Sequence, residues 1–406
     1  MAAGAWLALA ALLWRTSVPS DLRLPELHAR EYFPTAQLAR ADRYERVLRV
    51  FALLAPLASV AALGAVAWRA PELAHRLRGG SVVRGVQLAA TAFVVVWAVR
   101  LPFGLAALWW RRRFGIARED YLDWLVRPWP TLLGEVAVLC LAVAAVMAIA
   151  ARSGRHAWLA SAGGVAAIGA AAVVLQPLLL APRFEALREP ALTAEIRRVE
   201  DRLGLGEVQV RRREASERTR AVNAEVVGLG PTRRVVLWDT LLDGSFPPRA
   251  VRAIAAHELA HVSRRHVWKG LGWFLLVVGP GMFAVDLVAR RRGGLSRPEG
   301  VAAGIATAAA LVLVLTPAID AVSRRYETEA DWVALEATRD PAGARGLLVR
   351  LAATNLADPD PPGWWRLTFR THPSLLERVA MAEAWARRHG RPLPPPRLAP
   401  RPASSG

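Results

Sequence analysis

The sequence predicts a predominantly α-helical, polytopic membrane protein of about seven transmembrane helices, with a small α+β domain attached. Three observations carry this expectation. Hydrophobic residues make up 54% of the 406-residue chain. They fall into long continuous blocks rather than the periodic stripes of a soluble core. Two polar regions, 182–267 and 321–390, stand clear of those blocks.

Crossing the hydrocarbon core takes about 20 apolar residues. Blocks at 50–68, 85–110, 131–150, 157–180, 268–288 and 301–319 approach that length. A shorter block at 2–14 reads as a short first span or as the core of a signal peptide; the absence of a basic n-region and a clear cleavage site favours the span and leaves its processing open. The chain then divides into a membrane region at 1–181 with about five spans and a first part of the polar domain at 182–267. A transmembrane hairpin at 268–320, a second polar part at 321–390 and a proline-rich, disordered tail at 391–406 follow.

Within the first polar part, EVQVRRRE and RRVVLWDTLL read as strands, rich in β-branched residues and separated by the turn-like GLGPT. PALTAEIRRVEDRLG and PPRAVRAIAAHELAHVSRRH read as helices, the second with Pro248 near its start. Residues 326–338 read as a helix continuing out of the last span.

A net charge of +19 ordinarily points to nucleic acid. Here the arginines flank apolar blocks, as expected for groups facing anionic lipid, and no aromatic platform or phosphate-cradling loop accompanies them. Membrane lipid is the expected partner, and nucleic acid is not. Cys140 is the single cysteine, which excludes an intramolecular disulfide and any cysteine-based metal cluster. Basic residues in the short loops are nearly balanced between the two sides, so charge alone sets no orientation.

The chemistry begins with HELAH, residues 257–261, an H-E-x-x-H pattern on a helix. Residues four apart share a helix face, so His257 and His261 can reach one metal ion while Glu258 lies beside it. Zinc suits such donors: a catalytic site takes three protein ligands and leaves a fourth position for water. Glu258 is then placed to take a proton from that water and hand it to a leaving amine. His266 follows nine residues after His257. On a continuous helix it falls on roughly the opposite side, and it does not fit the longer H-E-x-x-H-x-x-G-x-x-H pattern either. The third ligand must come from elsewhere. SRRYETEADW, at 323–332, offers Glu327 and Asp331 on one face, with Glu329 pointing away from both. Spacing alone leaves this pair equally readable as an ordinary charged helix face.

HELAH, SRRYETEAD, VNAEVVGLGPTRRVVLWDTLL and THPSLLERV, in this order, resemble the zinc-dependent CAAX prenyl proteases, multi-pass membrane metalloendopeptidases. EYFPTAQLARADRYERV, LPFGLAALWWRRRFGIARE and PLLLAPRFEAL extend the resemblance over about residues 30–385. It implies one Zn²⁺ per chain bound by His257, His261 and Glu327, with Glu258 as base and Asp331 behind the ligands. It implies an edge strand at Asn223 and Ala224 that holds an extended peptide by backbone pairing. It also implies that His372 faces the oxyanion, and that Arg378 contacts site carboxylates or substrate. Read without the resemblance, His372 is a loop histidine before Pro373. The membrane is the plasma membrane if the source is prokaryotic; the chamber enclosed by the spans and the catalytic domain facing the cytoplasm come from the resemblance alone. So does a peptide or protein substrate, prenylated or membrane-associated.

Two features depart from the family pattern: the short first block, and Glu225 where an aromatic residue often follows Asn-Ala. Both bear on substrate choice more than on the metal. A quality-control metalloprotease of the heat-shock type is the neighbouring alternative, and the extensive amino-terminal half argues against it. A non-catalytic scaffold or transporter with a structural metal is the other. The intact Glu258 argues against that, since a structural site has no use for a base.

Overall fold

The structure, a computed structural model, describes residues 2–180 and 184–396. Among the described residues six helices are long and apolar enough to cross a membrane, and each contains one of the six long blocks read from the sequence. These are α3 (Thr35–Arg76), α4 (Ser81–Arg113), the stretch Tyr121–Ser153, α7 (Ala157–Leu180), α10 (His266–Arg290) and α11 (Pro298–Thr338). Tyr121–Ser153 comprises α5 (Tyr121–Val126) and α6 (Trp129–Ser153). Large apolar side chains along them, among them Leu54, Val94, Leu141 and Val314, point outward, as a lipid-facing surface requires.

The expected seventh span is α1 (Ala2–Trp14), a helix of 13 residues. At 1.5 Å per residue it reaches only about 20 Å, short of the roughly 30 Å hydrocarbon core. Its Leu7, Leu9 and Leu12 are nevertheless exposed, while Trp6 Nε1 donates to the Leu276 carbonyl of α10 at 3.0 Å.

The polar regions fold together. A four-stranded sheet runs β1 (Phe184–Ala186), β2 (Gln209–Arg213), β4 (Arg234–Trp238), β3 (Ala224–Val227) in spatial order. β2 and β4 are parallel and the other two pairings antiparallel, which leaves β3 at an edge. Val235, Val236 and Leu237 of β4 are wholly buried, the continuous apolar run of a strand covered on both faces. GLGPT supplies the β3–β4 turn, with Gly228 and Gly230 at positive φ.

Against the sheet packs α9 (Pro248–Ser263), whose Ala250, Val251, Ile254 and Leu259 share a core with Val222, Val235 and Leu237. Burying each of the larger aliphatic side chains contributes about 1.5–3 kcal/mol. Helix α8 (Pro190–Arg202) closes this core through Ile196 and Val199.

α10 and α11 form the expected hairpin. Gly293 and Gly294 turn the chain at positive φ, and Gly300 lies so close that an added Cβ would sit 1.9 Å from the Gly294 carbonyl oxygen. α11 then runs unbroken for 41 residues, from the hairpin into the polar domain. Helices α12 (Pro341–Asn355), α13 (Gly363–Phe369) and α14 (Leu375–Arg388) complete the domain. Leu348, Val349, Leu376 and Val379 pack on Tyr32 of the short α2 (Ala29–Tyr32) and on Phe33, which ties the amino-terminal part to the domain. Of the proline-rich tail, residues 391–396 carry no regular structure and 397–406 lie outside the described residues.

Candidate metal centre

His257 and His261 project from one face of α9, their Nε2 atoms 3.2 Å apart. α11 brings Glu327 to them across the hairpin. Its Oε2 lies 3.1 Å from His257 Nε2 and its Oε1 3.4 Å from His261 Nε2. The three residues can hold one metal ion, all their donor atoms lying within 4.8 Å of one another. The donor set fits zinc: two imidazole nitrogens and a carboxylate oxygen, each about 2.1 Å from a tetrahedral centre, stand roughly 3.4 Å from one another. No cysteine takes part, and no other group of three or more potential ligands occurs among the described residues.

Each remaining sequence candidate has a definite place. Asp331, one turn after Glu327, sets Oδ1 2.9 Å from His257 Nδ1, the ring nitrogen facing away from Glu327. Arg378, from α14, donates to Asp331 through Nε at 2.8 Å and Nη2 at 2.7 Å. It is therefore engaged with a site carboxylate. Glu258 is buried and makes no hydrogen bond or ion pair among the described residues. Burial pushes its carboxyl pKa above the ordinary carboxylate value. His372 lies half-exposed with Nε2 3.2 Å from Glu327 Oε2, and its Nδ1 is 2.8 Å from Thr371 Oγ1.

Asn223 is exposed just before β3, and its carbonyl accepts the Trp238 amide at 3.1 Å. Ala224 opens β3 with its side chain in the core, so only its backbone is available to a ligand. Asn355 of α12 braces the preceding Val222, accepting from its amide at 2.8 Å and donating to its carbonyl at 3.0 Å. Glu225 is paired with Arg213 at 3.0 Å.

One expectation is overturned. His266 does not lie opposite the ligands on a continuing helix, because α9 ends at Ser263 and Arg265 turns the chain at φ 56°, ψ 39°. His266 opens α10 and folds back, placing its Nδ1 2.9 Å from His261 Nδ1. Its Nε2 lies 2.9 Å from Glu329, which is fully buried on the far side of α11 from Glu327 and Asp331. Neither residue belongs to the donor set, yet both belong to its surroundings. The only local hint is the polar SRR triplet between the HELAH pattern and the apolar run, without a glycine or proline to mark the break.

The profile of peptidase family M48 matches residues 186–386, a stretch that contains every donor and neighbour named above from Asn223 to Arg378. This segment belongs to peptidase family M48. Its curated relatives include the "Uncharacterized metalloprotease YhfN" of Bacillus subtilis, 33% identical over 222 residues that make up 52% of either chain. They also include the "CAAX prenyl protease 1 homolog" of Oryza sativa, 25% identical over 59% of either chain. A "Protease HtpX homolog" of Methylibium petroleiphilum is 28% identical over 39% of this chain and 63% of its own. The chain thus spans between half and two thirds of the curated relatives it matches. The crystal structure of Ste24p from S. mikatae superposes with a TM-score of 0.74 over 93% of this chain and 96% of that one, at 17% identity. The M48 domain and its membrane helices therefore share the Ste24p fold.

Proposed function

We propose that the protein is an integral-membrane zinc metalloendopeptidase that hydrolyses peptide bonds. The observation that carries this reading is the convergence of His257, His261 and Glu327 beside a buried, unpaired Glu258. When bound there, zinc supplies Lewis acidity, lowering the pKa of water and polarising a carbonyl. Glu258, with no partner among the described residues, accepts a proton from the attacking water as the water oxygen bonds to the carbonyl carbon. It returns that proton to the amine nitrogen as the C–N bond breaks. His372, within reach of the same donors, supplies a hydrogen bond to the oxyanion. Asp331 and Arg378 hold His257 in place.

Substrate enters as an extended peptide, pairing with the backbone of Ala224 on the free edge of β3 beside the exposed side chain of Asn223. A membrane-associated peptide or protein is the substrate class that suits a site fed by two membrane helices. A likeness to Ste24p over nearly the whole chain favours the CAAX-protease type over the heat-shock type. The same reading puts the catalytic domain on the cytoplasmic side, beside an intramembrane chamber, and in a prokaryotic host the membrane is the plasma membrane.

The test is to purify the protein in detergent, measure zinc per chain, and compare wild type with Glu258→Gln on an unmodified and a prenylated peptide. Zinc in both proteins with cleavage by wild type alone is expected. Equal cleavage by both proteins ends this mechanism, and the peptide that is cut identifies the substrate class.

A further inference from the structure

Around His266 and Glu329 lies a polar cluster that the proposed chemistry does not use. Glu329 is fully buried, and its two oxygens face five donors. Oε1 accepts from Ser17 N at 2.7 Å, Ser17 Oγ at 3.0 Å and Arg264 Nε at 2.9 Å. Oε2 accepts from Lys269 Nζ at 3.1 Å and faces His266 Nε2 at 2.9 Å. Such saturation, with two cations among the donors, keeps the carboxylate ionised and immobile. The His266 ring is fixed independently: it stacks on Tyr326 with centroids 4.7 Å apart and planes 8° from parallel. Tyr326 is itself held, accepting from Trp273 Nε1 at 2.9 Å and donating to the Leu13 carbonyl at 2.7 Å.

We propose that His266 and Glu329 are positioning residues for the metal-binding imidazole of His261. Glu329 accepts only, so the proton on His266 sits at Nε2 and leaves Nδ1 as an acceptor. That acceptor lies 2.9 Å from His261 Nδ1, so His261 carries its proton there. His261 Nε2, on the side of Glu327 and His257, is thereby left with a free lone pair. With both imidazoles neutral, the chain of bonds admits this one tautomer order and presets His261 as a ligand before any metal arrives. The two ligand histidines are thus supported differently. His257 leans directly on a carboxylate, Asp331, whereas His261 reaches its carboxylate through a second imidazole. Through Ser17, Arg264 and Lys269 the same carboxylate ties together the segment after α1, the end of α9 and the start of α10.

This inference rests on the metal site proposed above, and the test separates the two. Full-length wild type, His266→Phe and Glu329→Gln are stripped of metal in detergent and titrated with Co²⁺ against a competing chelator. Affinity and the visible Co²⁺ spectrum are read together, with the metal-free melting temperature as a check on folding. Phe at 266 keeps the stack on Tyr326 while removing both hydrogen bonds. A 10–100-fold loss of affinity with a shifted spectrum is expected in each variant that melts as a folded protein. His266→Gln, which can accept from His261 and donate to Glu329, is expected to recover most of the loss. It also decides the matter if the other two do not fold, by an affinity and spectrum closer to wild type than those of His266→Ala. Wild-type affinity and spectrum in a folded variant without these hydrogen bonds overturn the relay and leave the metal site standing. A wild type that takes up no Co²⁺ overturns both.

Discussion

Arg378 grips Asp331 with two hydrogen bonds, at 2.7 and 2.8 Å, and both side chains are almost wholly buried. The pair stands directly behind His257. Removing one partner strands the other charge, so Asp331→Ala is expected to destabilise the protein by about 3–5 kcal/mol. It should also weaken metal binding 10–100-fold. Combining it with Arg378→Leu should restore much of the stability and none of the affinity. Melting in detergent and chelator competition read the two effects separately.

Glu258→Gln tests the base without disturbing the donors. Cleavage is expected to fall by 10²–10⁴-fold, the usual worth of a positioned proton acceptor, while metal content stays at the wild-type level. Single-turnover cleavage together with elemental analysis of the same preparation decides it.

His372→Ala should lower kcat by about 10²–10³-fold, with KM little changed, if the ring serves charge that develops only during reaction. A rise in KM at constant kcat would instead assign His372 to ground-state binding.

At the hairpin, Gly300→Ala forces a methyl group against the Gly294 carbonyl, a backbone atom that no rotamer change can move aside. A loss of at least about 1–3 kcal/mol is expected, read as a lower melting temperature. Gly304→Ala, whose nearest neighbours are side chains at 3.2 and 3.3 Å, should be milder.

Asp340 caps α12, accepting from the Gly343 amide at 2.8 Å, and is paired with Arg249 and Arg252 of α9. Burial opposes ionisation most strongly, but the hydrogen bonds from Arg249 and the Gly343 amide, together with the charges of Arg249 and Arg252, outweigh it and hold the carboxyl pKa below the ordinary value. A lowered folded-state pKa means that the stabilisation is complete above the unfolded value of about 3.9 and is lost as pH falls below it. Asp340→Asn should therefore melt below wild type at pH 7, and the gap should narrow as pH falls through about 4.

Much of this architecture is legible in the residues themselves. The six long blocks, the HELAH helix and the strands β2 and β4 follow from apolar length and from helical or alternating periodicity, whereas β3 is implied only by the resemblance. Glu327 and Asp331 share a face by spacing, but their partnership with α9 depends on a hairpin that brings residues 70 positions apart into contact, which no local pattern encodes. His266 is illegible for a sharper reason. A helix break at a left-handed arginine carries no glycine or proline signature, so extrapolated periodicity turns the ring to the wrong side. The five donors around Glu329 come from three separate segments and are visible only once those segments have folded.

Glu327, Glu329 and Asp331 all ride on α11, the helix that leaves the hairpin without interruption. Since each residue advances an α-helix by about 100°, a single insertion or deletion between residues 320 and 327 would swing all three carboxylates away from their histidines at once. Compensation arrives only after about a full turn. The length of rod between bilayer and site is thus quantised in turns rather than residues, and tolerated length changes along it are expected in steps near three or four.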